Sequence, residues 1–132
     1  MESRILVIDD SWSSSQKMAA YMTILNIPCD FAEDYCEAKD LIGFIEYRII
    51  IINTDSEGYD YLKLLDFVQN HSDKRISYTP ILALTKHCKK FEYMNFDGTV
   101  DKNVDLEDFS LKLSDYMDLK SLASTHDFYL TA

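Results

Sequence analysis

The sequence predicts a three-layer α/β/α domain built on a doubly wound, five-stranded parallel sheet. Three observations lead there. Short apolar runs recur at residues 5–8, 49–52 and 81–84, each too short for a helix and apolar without alternation, as strands buried on both faces are. Each run is followed by a polar break and then by apolar residues at helical spacing, a repeating βα order. Right-handed crossovers place helices on both faces of such a sheet only when it is doubly wound.

The elements follow in order. β1, residues 5–8, is Ile-Leu-Val-Ile and runs into Asp9-Asp10. α1 is marked by Met18, Met22 and Leu25 at i, i+4, i+7, behind Ser13-Ser14-Ser15-Gln16, which reads as a capping box satisfying free amides. β2 is set at residues 29–31, after Pro28, by its place in the alternation. Asp34 opens α2, with Glu37 in the first turn and Tyr35, Ala38, Ile42 and Ile45 on one stripe. β3 is residues 49–52, and Tyr61, Leu64, Leu65 and Val68 give α3. β4, residues 81–84, follows Pro80. Residues 86–94 make the poorest helix, α4, which the crossover requires more than the pattern does. β5 is set at residues 99–101 after Gly98. α5 carries the clearest stripe, Leu106, Phe109, Leu113 and Tyr116, opened by Asp105 and Asp108.

The 132 residues are 47% apolar and 13% aromatic, enough to bury one core and too short for two. The expected domain is residues 1–120, with 121–132 a tail or the start of a linker. A net charge of −10 repels phosphate backbones and anionic headgroups, so no direct nucleic-acid or membrane binding is expected. Met1-Glu2-Ser3-Arg4 leads straight into β1, no apolar run approaches the about 20 residues of a membrane span, and the expected compartment is the cytoplasm. Cys29, Cys36 and Cys88 show neither CxxC nor zinc spacing and read as reduced, mostly buried thiols. His71, His87 and His126 read as solvated surface residues. Gly43, Gly58 and Gly98 form no phosphate-cradling loop.

In open parallel sheets the site lies beyond the carboxyl ends of the strands. Asp9 and Asp10 follow β1; Asn53, Thr54 and Asp55 follow β3; Thr85 follows β4 and Lys102 follows β5. Adjacent carboxylates repel unless a cation lies between them, and Mg2+ takes one or two carboxylates together with phosphate oxygens. Thr85 and Lys102 are then suited to the remaining oxygens of a phosphoryl group. A phosphatase using Asp10 as nucleophile would need an Asp-x-Asp pattern that this strand end lacks.

Val7-Ile8-Asp9-Asp10-Ser11, the β3 end with Asp60 seven residues beyond Asn53, Pro80-Ile81-Leu82-Ala83-Leu84-Thr85 and Gly98-Thr99-Val100-Asp101-Lys102 occur in that order. Together, over about residues 3–120, they resemble the receiver domains of response regulators in two-component signalling. The resemblance implies a flavodoxin-like strand order 2-1-3-4-5. It implies an acid pair holding Mg2+, an Asp at the end of β3 that takes a phosphoryl group from a histidine kinase, and Thr and Lys that bind it. Carried onto this chain, the metal positions are Asp9, Asp10, Asn53 and the backbone of Asp55, the phosphoacceptor position is Asn53, and the phosphate-binding positions are Thr85 and Lys102.

The sequence departs from that pattern at its centre. An acyl phosphate needs a carboxylate nucleophile, and the Asn53 amide is neutral and far weaker. Asp55 leaves only five residues to Asp60 instead of seven. Thr99 takes the place of the family's switching aromatic, Asn103 that of its cis-bonded Pro, Glu57 that of a loop Pro, and the 17 positions from Thr85 to Lys102 shorten α4. The expected function is a pseudo-receiver: a non-enzymatic, phosphorylation-independent protein-interaction module of phosphorelay signalling, with weak Mg2+ binding and a histidine kinase or an output protein or domain as partner. The alternative is a working Mg2+-dependent receiver carrying an introduced Asp-to-Asn change at position 53. Lys102 is expected to pair with Asp9 or Asp10 when metal is absent. A homodimer contact is expected on the α4-β5-α5 face, through Phe91, Tyr93, Phe96 and Tyr116.

Overall fold

Continuous apolarity in the three strong runs reflects burial from both sides. In the computed structural model, which describes residues 3–92 and 94–117, every residue of β1 (Ile5–Ile8), β3 (Ile49–Asn53) and β4 (Ile81–Thr85) is buried. β2 (Cys29–Ala32) and β5 (Gly98–Asp101) are the less buried edges. All neighbours pair in parallel, in the order β2-β1-β3-β4-β5. The strand order is the one the resemblance implied. β3 and β4 each run one residue further than the apolar pattern shows, because Asn53 and Thr85 continue the ladder as polar residues.

Alternation along each strand divides the core in two. Ile5, Val7, Ile49, Ile51, Leu82, Leu84 and Val100 face α1 (Trp12–Ile24) and α5 (Leu106–Ser114), with Met18, Met22 and Phe109 filling the layer. Leu6, Ile8, Ile50, Ile52 and Ile81 face α2 (Tyr35–Phe44) and α3 (Tyr61–Gln69), through Ala38, Ile42, Leu64 and Val68. Helices thus cover both faces, which completes the three-layer, doubly wound architecture.

Several details differ from the sequence reading. The α1 capping box does not form: Ser11 is the N-cap and makes no side-chain cap bond, while Ser14 donates to the Asp9 carboxylate. A charged acceptor outcompetes a neutral one for that hydroxyl. α4 contracts to one turn, Cys88–Phe91, because the short connection to β5 leaves no room for more. A further helical turn, Lys74–Ser77, capped by Asp73, lies between α3 and β4. The thiols are not core residues: Cys36 is exposed, Cys29 and Cys88 are half-buried, and all three are free. Phe91 is buried and stacks edge-on against Tyr61 and Phe96, and the Tyr116 hydroxyl donates to the Asp97 carbonyl. Phe91 is thus spent inside the molecule, while Phe96 and Tyr116 are half-buried, so of the three described aromatics of the expected α4-β5-α5 dimer face only Phe91 is withdrawn from it. Tyr93, His126 and residues 121–132 lie outside the described residues. Among the described residues no helix is long and apolar enough to cross a membrane.

Candidate functional site at the strand ends

The register brings the polar strand ends to one rim. Ladder bonds continue past the apolar residues, from the Asp9 N–H to the Ala32 carbonyl, from Thr54 to Leu84 and from Lys102 to Thr85, so β1, β3, β4 and β5 end at one level. The site residues read from sequence therefore do converge, in two clusters that the sequence did not distinguish.

The first cluster is centred on Asp9, buried at 2% exposure. Its Oδ1 accepts the Ser11 N–H and the Asn53 Nδ2 amide, each at 2.8 Å, and its Oδ2 accepts the Ser14 hydroxyl. The Asn53 Oδ1 accepts the Asp55 N–H at 3.0 Å. The Asn53 amide thus satisfies an Asp9 oxygen by donation and holds the turn after β3 by acceptance, which an ionised carboxylate at the same place could not do together. Asp10 is exposed and packs against Gly58, where a Cβ would fall 2.2 Å from the Asp10 Oδ2. Trp12, 77% exposed, stays out of the site.

The second cluster is centred on Asp55. Its Oδ1 accepts the Thr85 hydroxyl at 2.8 Å; its Oδ2 accepts the Lys86 N–H at 2.8 Å and lies 3.2 Å from the Lys102 ammonium. Burial by itself would raise the Asp55 carboxyl, but the Lys86, Thr85 and Lys102 donors outweigh it and hold the group below its ordinary carboxylate pKa. This corrects the expectation that Lys102 pairs with Asp9 or Asp10. Asp9 is already satisfied by neutral donors, so the free carboxylate within reach of Lys102 is that of Asp55. The sequence reading assigns Asp55 a backbone role at the metal position and sets its carboxylate aside as acceptor on spacing; in the structure that side chain is the hub of the rim.

Other residues that build the site left little trace in the sequence. The Tyr59 hydroxyl lies 2.9 Å from the Ile8 carbonyl and 2.7 Å from that of Asn53, stitching the ends of β1 and β3. Burial, and then the charges of Asp9 and Asp10, push this phenol well above its ordinary pKa and keep it a donor. Lys17 donates to the Lys102 carbonyl at 2.7 Å and Tyr21 to that of Val104 at 2.8 Å, so α1 holds the loop that presents Lys102. Asn103 completes that loop by donating its N–H to the Asp101 carboxylate at 2.8 Å, and no described peptide bond is cis. Here an Asx turn and two α1 donors do the positioning.

A hard cation at this rim would draw on Asp9, Asp10 and the Asn53 oxygen. Both Asp9 oxygens and the Asn53 Oδ1 already accept hydrogen bonds, and Asp10 alone opens to solvent. Among the described residues no three His, Cys, Asp or Glu side chains group as a metal site. The oxygen donors suit Mg2+ in kind and only weakly in number and charge.

No family model matches the sequence, and no curated protein matches it. Solved structures do. The chemotaxis response regulator CheY4 of Vibrio cholerae superposes with a TM-score of 0.74 at 20% identity, covering 89% of this chain and 100% of that one. A signal receiver domain from Bermanella marisrubri gives 0.76 at 15% identity, covering 89% and 100%. The receiver domain of the sensor histidine kinase PA1611 from Pseudomonas aeruginosa, which holds a magnesium ion in its active-site cleft, gives 0.74 at 14% identity, covering 88% and 98%. At these identities the shared property is the fold: this chain has the CheY-like receiver fold of response regulators.

Proposed function

We propose that the chain is a receiver-like protein-interaction module of two-component signalling that does not accept a phosphoryl group. One observation carries the reading. At the strand end where the fold presents a nucleophile stands Asn53, buried at 1% exposure, with both ends of its amide committed to Asp9 and Asp55. A neutral amide oxygen turned into an internal hydrogen bond has neither the charge nor the freedom for in-line attack on phosphorus. The module binds rather than catalyses, its partner is a histidine kinase or an output protein, and Mg2+, where present, is held weakly by Asp9 and Asp10. The acidic surface argues against a nucleic-acid partner.

A second reading has an observation in its favour: the Asp55 carboxylate touches Thr85 and Lys102, as an acceptor should. The same contacts count against it, because the donors that would bind the incoming phosphoryl oxygens are consumed by the carboxylate itself. Incubation with acetyl phosphate and Mg2+, followed by intact-mass measurement and peptide mapping, separates the two. The expected result is no phosphorylated species; an adduct mapped to Asp55 would replace the first reading with the second.

A further inference from the structure

A hydroxyl, a backbone amide and an ammonium, from Thr85, Lys86 and Lys102, meet on the single carboxylate of Asp55. Such a set, mixing one cation with neutral donors, is how proteins hold phosphoryl-type oxoanions. The pair is withdrawn from water, with side-chain exposures of 13% for Lys102 and 19% for Asp55. Without an anion, two largely buried donors, the Thr85 hydroxyl and the Lys102 ammonium, would be left unmatched, which is costly. Asp55 is aimed at them by its own backbone, since the Asn53 Oδ1 fixes its N–H. The Thr85 Oγ1 also accepts the His87 N–H at 2.9 Å, so whatever fills this place orders the entry to α4 as well.

We propose that Thr85, Lys86 and Lys102 form an oxoanion seat and that Asp55 is its resident ligand, a tethered surrogate for a phosphoryl group that closes the seat to free phosphate and keeps its walls in the occupied arrangement. The chain is then self-liganded: it holds without chemistry the contacts that a phosphoryl group would otherwise supply. The inference rests on the receiver-like reading only in naming a phosphoryl-type anion as the ligand excluded; the convergence of donors stands without it.

Amide NMR of the 15N-labelled chain titrated with inorganic phosphate tests this. In the unaltered chain the Lys86, His87 and Lys102 amides should show no saturable response. In Asp55→Ser they should shift on substitution, and phosphate should drive them back toward their positions in the unaltered chain along a saturable curve. A tethered ligand acts at an effective concentration of millimolar or more, so the gain in apparent phosphate affinity should be about tenfold or greater. Adding Lys102→Met to Asp55→Ser should abolish the response. Equal phosphate binding by the unaltered chain, or a folded Asp55→Ser that does not respond, would overturn the proposal. If Asp55→Ser does not fold, Asp55→Asn keeps the shape and removes the charge; it should respond to phosphate in the same direction, and its silence would be equally decisive. No kinase, covalent transfer or Asn53 chemistry enters, so failure here leaves the acetyl phosphate result standing, and the reverse holds too.

Discussion

Asn53 is the residue on which the rim turns, because its amide can donate to Asp9 and accept from Asp55 at once. Asn53→Asp would set two carboxylate oxygens at the 2.8 Å now spanned by a hydrogen bond, and one of the two groups must then hold a proton or a cation. The expected cost at neutral pH without divalent metal is about 2 to 4 kcal/mol, from a lost charge-assisted bond and a buried repulsion. Urea unfolding should show a lower midpoint with an unchanged slope, and millimolar Mg2+ should recover part of the loss in the variant while barely moving the unaltered chain. An Asn53→Asp chain as stable as the parent without metal would mean that the amide's donation is not what stabilises the buried Asp9 side chain. The presence of Asn53 was plain in the sequence, but the direction of its two hydrogen bonds was not: the Asp55 N–H is a neighbour two residues on, whereas Asp9, 44 positions away, is brought to the amide only by the fold.

At the scale of elements, local chemistry and tertiary demand share the helix ends. Asp34, Asp60 and Asp105 each cap a helix by accepting an N–H from its first turn, and each stood in the sequence just before the apolar stripe it serves. Asp60→Ala, which loses bonds to the Leu62 and Lys63 amides, should cost about 1 kcal/mol in urea unfolding, whereas Ser11→Ala, which loses no cap bond, should cost a few tenths at most. Equal losses would show that Ser11 contributes something its geometry does not reveal. The end of α1 follows local rules too: Asn26 takes the left-handed φ of 56°, the Ile27 N–H reaches the Met22 carbonyl, and Ile27 is buried beneath that turn. α4 is the contrary case. Its residues carry no strong stripe, and the chain forms only the one turn that lets Phe91 meet Tyr61 and Phe96.

For the whole molecule, the acidic surface and the rim pull in different directions. A net charge of −10 on 132 residues repels itself, so thermal stability should rise as NaCl is raised from about 10 to about 200 mM, a range over which the Debye length falls from near 30 Å to below 10 Å. The largely buried Lys102–Asp55 pair is screened far less and should not reverse that trend. A melting midpoint that falls with salt, followed by differential scanning calorimetry, would mean that attractive ion pairs outweigh the net repulsion. Scattered exposed apolar side chains such as Trp12, Phe44 and Tyr78 belong to separate elements and form no stripe of their own.

While β2 and β5 were placed only by their position in the alternation, the amino-acid pattern by itself determined the βα alternation, the three apolar strands β1, β3 and β4 to within one residue, the helix caps at Asp34 and Asp105, and the set of polar residues at the strand ends. Each of these depends on periodicity or on contacts within a few positions, which a linear sequence carries directly. Tertiary structure alone decided who meets whom at the rim: Asn53 bonding Asp9 across 44 positions, Thr85 and Lys102 choosing Asp55 over the acid pair, Tyr59 stitching β1 to β3, and Lys17 holding the Lys102 loop. Those partners lie on different strands and helices, and side-chain reach of a few ångströms selects among several carboxylates and donors that are chemically equivalent in the sequence.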